Sequence, residues 1–134
     1  MRVLLVEDDA DTRELLTVML RSFGAEVHAV STGDEALAAL TTAPPDVMVS
    51  DIRMDTIDGY ALIKDVRALP AERGGTVPAV ALTALTRQED RRRALDAGYQ
   101  VHVPKPVTPA KLVAVLGFLL RQHKPARPSR PDRG

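Results

Sequence analysis

Hydrophobic and polar positions along this chain follow two alternating patterns. Val3–Val6 is a short continuous apolar run, which is typical of a strand buried on both faces. Residues 12–23 instead place apolar side chains at helical spacing and are followed by Gly24, a residue that suits a helix C-terminus. The same succession recurs four more times, so the pattern predicts five strand–helix units.

The predicted strands are Val3–Val6, Ala25–Val30, Val47–Ser50, Val80–Leu82 and Val101–Val103. The first predicted helix is residues 12–23 and the third is Tyr60–Leu69. The second contains Ala36–Leu40 and begins at a Thr32/Glu35 capping box, and the fourth begins at a Thr86/Glu89 capping box and ends at Gly98. The fifth runs from Pro109 to about Arg121, with Thr108 as its N-cap. Strands that alternate with helices imply an α/β fold with a parallel sheet covered on both faces. We therefore expect a doubly wound, flavodoxin-like (βα)5 fold with strand order 2-1-3-4-5.

Composition and charge separate a folded body from a tail. At 134 residues the chain has the length of one domain, which we place at residues 1–121. Residues 122–134 are rich in Pro and Arg and carry a net charge of +3, so we expect a disordered tail. The body is then −3 and offers no basic patch for nucleic acid. No apolar run reaches the length of a membrane span or forms a signal peptide, and Cys is absent, so we expect a cytoplasmic protein.

Polar side chains follow four of the five predicted strands. Glu7 and Asp8 follow the first strand and Asp51 the third, while Thr83 ends the fourth and Lys105 follows the fifth. In open α/β sheets, ligands bind beyond the carboxyl ends of the strands, where the strand order reverses. Here the reversal falls between the first and third strands. The topology therefore predicts that these side chains meet at one edge of the sheet.

Such a cluster of acids favours a hard cation. Two charges about 4 Å apart repel by roughly 4 kcal/mol at an effective dielectric constant near 20. Mg²⁺, which prefers carboxylate and phosphate oxygens, would remove that repulsion and neutralise charge on a transferring phosphoryl group. Lys105 can bind a phosphoryl oxygen and Thr83 can donate a hydrogen bond to one. Asp51 is then placed as a nucleophile that forms an acyl phosphate.

Each of these residues also has an ordinary interpretation. Glu7 and Asp8 could cap the following helix, and Asp51 could be a turn acid. Thr83 could be a strand-end hydroxyl and Lys105 a solvated cation. The joint occurrence of all five, in order at successive strand ends, favours the functional interpretation.

These residues resemble the receiver domain of two-component response regulators, from Arg2 to about Leu120. The motifs that carry the resemblance are Val6-Glu7-Asp8-Asp9, Ser50-Asp51-Ile52-Arg53-Met54 through Asp58-Gly59, Leu82-Thr83-Ala84 and Lys105-Pro106. The resemblance implies that Asp51 is the phosphoacceptor. It implies further that Asp8 binds Mg²⁺ directly and that Glu7 acts through water. Asp51 and the backbone carbonyl of Arg53 would be the other ligands, with Mn²⁺ as a substitute metal.

The resemblance also implies roles at the fourth and fifth strands. Thr83 would be the switch hydroxyl and Lys105 the phosphoryl-binding lysine, with a cis bond before Pro106. The sequence departs from the family pattern at two positions. Asp55 stands where the family usually has Pro, and His102 stands where it often has Tyr or Phe. With His102 we expect the aromatic part of the switch to be altered or pH-dependent.

The function implied is that of a phosphorylation switch. A histidine kinase or a histidine phosphotransfer protein would donate the phosphoryl group, and the chain would catalyse only its own phosphorylation and dephosphorylation. The signal would pass through the surface of the fourth helix, fifth strand and fifth helix, to a downstream protein or to a second copy. The stretches 89–95 and 102–106 resemble receivers of hybrid histidine kinases.

Three alternatives stay open at this point. A haloacid-dehalogenase-type phosphatase also forms an aspartyl phosphate, but Glu7 would replace its nucleophilic Asp in the pair with Asp9. A flavin- or nucleotide-binding module would need a Gly-rich or hydroxyl-rich phosphate loop, which the sequence lacks. A receiver that binds partners without being phosphorylated is the third. All the core residues are present, which argues against it, and the departures at Asp55 and His102 keep it open.

Overall fold

Five parallel strands and five helices account for most of the chain in the computed structural model, which describes residues 1–52, 59–83 and 88–122. The strands are β1 (Arg2–Val6), β2 (Glu26–Val30), β3 (Val47–Asp51), β4 (Ala79–Thr83) and β5 (Val101–Pro104). The helices are α1 (Ala10–Arg21), α2 (Gly33–Thr42), α3 (Gly59–Arg67), α4 (Gln88–Ala97) and α5 (Pro109–Gln122), with a 3-10 turn at Ala71–Arg73.

The strand order is β2-β1-β3-β4-β5, and every pair is parallel. This confirms the predicted (βα)5 topology. The chain runs from β1 outward to β2 and then returns to the other side of β1 to form β3. The carboxyl ends of β1 and β3 therefore lie side by side, and the pairing of Val6 with Ser50 sets their register.

The two faces of the sheet bury separate aliphatic cores. Successive residues of a strand point to opposite faces, so the three central strands, β1, β3 and β4, supply both cores. The core on the side of α1 and α5 contains Val3, Leu5, Leu16, Leu20, Ala25, Val47, Val49, Val80, Leu82, Val103, Leu112, Leu116 and Leu119. The core on the side of α2, α3 and α4 contains Leu4, Val6, Val30, Ala36, Leu40, Met48, Ile52, Tyr60, Leu62, Ile63, Val66, Val77, Ala79, Ala81, Ala94 and Tyr99.

Local capping signals fix several helix starts, and the caps at Thr32 and Thr108 are those that the sequence predicted. The Thr32/Glu35 capping box is present, with the Thr32 hydroxyl accepting from the Glu35 backbone and the Glu35 carboxylate accepting from the Thr32 backbone. The Thr108 hydroxyl accepts from the backbone N–H of Lys111 at the start of α5. Asp9 caps α1 through the backbone N–H of Thr12.

Element boundaries differ from the predictions at a few places. Because Asp9 is the cap, α1 begins two residues earlier than predicted. The helix ends at Arg21, so Phe23 lies beyond it, 44% exposed. The turn at Gly74 is preceded by the 3-10 turn, which the apolar pattern did not indicate. The last helix includes Gln122, and the remaining tail and the predicted Thr86 cap lie outside the described residues.

Candidate phosphoacceptor site

The two acids after β1 differ in burial. Glu7 directly follows the strand, its backbone N–H donates to the Val30 carbonyl, and its side chain is buried, whereas Asp8 is half-buried. The Glu7 carboxylate accepts a hydrogen bond from the backbone N–H of Asp9 at 3.0 Å. Its Oε1 atom is buried and accepts no hydrogen bond among the described residues. This oxygen therefore has lone pairs that could bind a cation.

Asp51 and Lys105 form the central ion pair of the site. Asp51 ends β3 and is 6% exposed, and its Oδ2 accepts from the Lys105 Nζ at 2.9 Å. The same Nζ lies 4.0 Å from Oε1 of Glu7. Lys105 reaches both acids because its backbone N–H donates to the Thr83 carbonyl at 2.7 Å, which fixes the chain just after β5. The Lys105–Pro106 peptide bond is cis, as expected.

Burial makes Glu7 a weaker acid than usual. Its pKa is raised from 4.5 to about 7, first because burial removes water from the carboxylate. The Asp9 backbone N–H acts in the opposite direction by stabilising the charge. The neighbouring Asp51 raises the pKa further, by charge repulsion and by hydrogen-bond contact, and Lys105 lowers it. A cation placed at these oxygens would favour the ionised form.

Arg13 supports the acidic turn and was not singled out from the sequence. It lies on the first full turn of α1, where its Nη1 donates to the carbonyl of Glu7 at 2.9 Å and of Asp8 at 3.4 Å. A basic residue in the first turn of the helix that follows a pair of acids is the signal that could have identified it. Arg13 holds the backbone between the two acids in place.

Thr83 and His102 share one face of the sheet. Thr83 is buried at the end of β4, and strand alternation puts it on the same face as Ala81. His102 pairs with Ala81 across the parallel ladder and so lies on that face as well, the one that carries α3 and α4. The His102 ring is half-buried, and its Nε2 is shielded from solvent. Sheet geometry thus brings the two predicted switch residues to one side.

The remaining predicted site residues lie partly beyond what the structure describes. Arg53, whose carbonyl was expected to bind metal, and Asp55 fall outside the described residues. Within residues 1–52, 59–83 and 88–122, no three acidic, His or Cys side chains are grouped closely enough to hold a metal ion on their own. The donor chemistry nevertheless suits a hard cation, since the buried Oε1 of Glu7 and the neighbouring Asp51 carboxylate are oxygen ligands.

Comparison with protein families decides what this arrangement belongs to. The family model for the response regulator receiver domain matches residues 3–117, which includes all of the sheet except Arg2 and all of the predicted site residues. The chain belongs to this family. The receiver domain also shares the family's five-stranded topology, and the match does not favour the phosphatase, nucleotide-binding or phosphorylation-independent alternatives.

Individual relatives include both short proteins and kinases. The receiver domain is 45% identical over 116 residues to an uncharacterized 14.6 kDa protein in the sodA1 3′ region of Leptolyngbya boryana, covering 87% of each chain. It is 36% identical to the sensor histidine kinase GacS of Pseudomonas protegens, covering 99% of this chain but 15% of the kinase. It therefore spans most of one relative and a small part of the other.

A solved structure gives the matching three-dimensional comparison. The receiver domain of the sensor histidine kinase PA1611 of Pseudomonas aeruginosa, solved with a magnesium ion coordinated in its active-site cleft, superposes with a TM-score of 0.79 at 35% identity. The match covers 88% of this chain and 95% of that one. The chain is thus a two-component receiver domain, homologous to those of kinases and of response regulators. Among its described helices, none is long and apolar enough to cross a bilayer.

Proposed function

We propose that Asp51 is the phosphoacceptor of this receiver domain. The observation that carries the proposal is the ion pair between the buried Asp51 carboxylate and the Lys105 Nζ at 2.9 Å, formed by residues 54 positions apart. A buried carboxylate next to a fixed ammonium group can become an acyl phosphate whose new charge already has a partner.

The residues around Asp51 also suit Mg²⁺. Glu7, Asp8, Asp51 and the Arg53 carbonyl would hold the ion, with Mn²⁺ as a substitute. The buried Oε1 of Glu7, which accepts no hydrogen bond among the described residues, supports this ligand set. When bound, the ion would neutralise charge on the transferring phosphoryl group. Asp8 is the more exposed of the two acids after β1, which suits direct coordination, while Glu7 would act through water.

The chemical step uses one oxygen of Asp51. A carboxylate oxygen attacks the phosphorus in line, an O–P bond forms, and the bond from phosphorus to the leaving group of the donor breaks. The donor keeps the electron pair of that bond. Lys105 then forms an ion pair with one phosphoryl oxygen, and the Thr83 hydroxyl donates a hydrogen bond to another. The chain therefore catalyses its own phosphorylation, and we do not propose that it turns over free substrates as an enzyme does.

The donor is a protein that carries phosphohistidine, either a histidine kinase or a histidine phosphotransfer protein. Such a donor has to cover the surface around Asp51, and α1 begins immediately beside the acids. Leu15 and Val18 of α1 are 58% and 60% exposed, so the helix that begins at the site carries an exposed apolar surface. We propose that the donor contacts this part of α1.

The output lies on the other side of the site. Thr83 and His102 face α3 and α4, so a hydroxyl that moves toward the phosphoryl group would change the packing beneath α4. We propose that the surface of α4, β5 and α5 then binds a downstream protein or a second copy of the chain.

Intact mass spectrometry after incubation with acetyl phosphate and Mg²⁺ tests the assignment. Wild type should gain one labile phosphoryl group, and Asp51→Asn, which has nearly the same shape, should gain none. Equal labelling of the two proteins, or none on wild type, would reject Asp51 as the phosphoacceptor.

A further inference from the structure

A buried tyrosine hydroxyl joins the segment after α4 to the start of α3. The Tyr99 side chain is 3% exposed, and its Oη donates to the carbonyl of Gly59 at 2.9 Å. Tyr99 lies between α4 and β5, whereas Gly59 is the first residue of α3. The bond therefore joins two segments that are forty residues apart, one of them next to the phosphoacceptor.

Gly59 is in tight contact with the main chain of Asp51. Its backbone N–H donates to the Ile52 carbonyl at 2.9 Å. A Cβ atom at Gly59 would lie 2.7 Å from both the Asp51 carbonyl oxygen and the Ile52 Cα, which no side chain tolerates. The two backbone segments thus touch directly. Any shift of Gly59 has to be transmitted to the main chain that carries the Asp51 carboxylate.

The other end of the contact is held by the termination of α4. The Tyr99 N–H donates to the Ala94 carbonyl and the Gly98 N–H to the Leu95 carbonyl, the paired bonds of a Schellman motif, with Gly98 at a φ of +131°. The Arg67 guanidinium donates to the Gly98 carbonyl through both Nε, at 3.0 Å, and Nη2, at 2.7 Å. The Tyr99 hydroxyl consequently projects from a fixed part of the backbone.

From this geometry we propose that the Tyr99 hydroxyl is a positioning group for phosphorylation. By fixing the Gly59 carbonyl it sets the place of the Asp51 main chain, and hence of the carboxylate, relative to the Lys105 amine. The hydroxyl touches no reacting atom and acts only through Gly59. The inference rests on the proposed function, because it takes Asp51 as the phosphoacceptor.

Tyr99→Phe separates this role from packing. The ring belongs to the core on the α3 side, and phenylalanine keeps the ring while removing the hydroxyl and its hydrogen bond to Gly59. We expect the maximal rate of labelling by acetyl phosphate at saturating Mg²⁺ to fall roughly threefold to tenfold, since small misplacements of a reacting group are costly. We also expect the Gly59 amide hydrogen to exchange faster with solvent, as measured by NMR. Its hydrogen bond to the Ile52 carbonyl should open more often once Tyr99 no longer fixes the Gly59 carbonyl.

Val77→Ala is the matched control. Val77 is 5% exposed in the same core, and the change lowers thermal stability by loss of packing without removing a hydrogen bond to Gly59. Its labelling rate should stay within a factor of two of wild type. The inference would be overturned if Tyr99→Phe were labelled as fast as wild type, or if Val77→Ala were slowed as much as Tyr99→Phe. In both cases Asp51 is still labelled, so the proposed function would stand. Failure of wild type to be labelled at all would instead reject the proposed function, and the positioning role with it.

Discussion

At the scale of single residues, the site is defined by two acids and one ammonium group in unequal surroundings. Asp51 has Lys105 at 2.9 Å, whereas Glu7 has the same ammonium group only at 4.0 Å and is almost completely buried. Glu7 therefore carries most of the electrostatic cost of the cluster. Its pKa of about 7 expresses that cost.

Glu7→Gln should stabilise the fold in the presence of EDTA at high pH. The folded-state pKa of Glu7 is raised from 4.5 to about 7, so the folded state holds a proton that the unfolded state has lost between those values. Wild-type stability should accordingly fall as pH rises from about 4.5 to 7, by an amount on the order of a few kcal/mol. Glutamine cannot ionise, so its advantage should be full above pH 7 and disappear below 4.5.

Urea unfolding of both proteins across pH 4 to 8 measures this difference. A variant that is less stable than wild type at pH 8 would show that the ionised carboxylate is better solvated or paired than its burial indicates. The same variant should bind Mg²⁺ more weakly than wild type, because a neutral amide replaces a charged ligand.

At the scale of elements, the start of α2 depends on capping residues that have no part in the site. The Thr32/Glu35 box fixes the start of α2 at the edge of the sheet formed by β2, two strands away from Asp51. The pKa of Glu35 is held below its usual range by the hydrogen bonds from Ser31 and Thr32, so the carboxylate is charged near neutral pH.

Thr32→Ala should therefore lower stability without changing phosphorylation. Loss of the hydroxyl leaves the Glu35 backbone N–H without its cap, which typically costs about 1 kcal/mol. The midpoint of thermal unfolding should decrease, and the labelling rate with acetyl phosphate should match that of wild type. A rate reduced more than twofold would indicate that α2 is coupled to the site.

At the scale of the whole molecule, metal binding should stabilise the fold. A ligand that binds only the folded state contributes roughly 2.7 kcal/mol at one hundred times its dissociation constant. For a domain of this size that corresponds to an increase in Tm of roughly 8–10 °C. Differential scanning calorimetry with Mg²⁺, against NaCl at equal ionic strength, should show this increase for wild type and lose it for Asp8→Asn. An increase that persists in the variant would exclude Asp8 as a ligand.

The sequence by itself determined the order of elements and several helix caps, and it predicted the candidate site residues. These depend on neighbours within a few positions: apolar periodicity distinguishes strand from helix, the Thr32/Glu35 spacing defines a capping box, and acids directly after a strand lie at its carboxyl end. Even the sheet order followed from the alternation of strands and helices. Resemblance to the receiver family then connected Asp51 with phosphorylation.

Only the tertiary structure decided which of these groups meet and with what consequence. The 2.9 Å contact of Lys105 with Asp51, the burial that raises the pKa of Glu7 and the bond from Tyr99 to Gly59 all join residues distant in the chain. Their distances follow from strand register and from helix packing, which local sequence patterns do not specify. Burial, moreover, is a property of everything that surrounds a side chain, so the electrostatics of the site emerged only when the sheet and its helices were assembled.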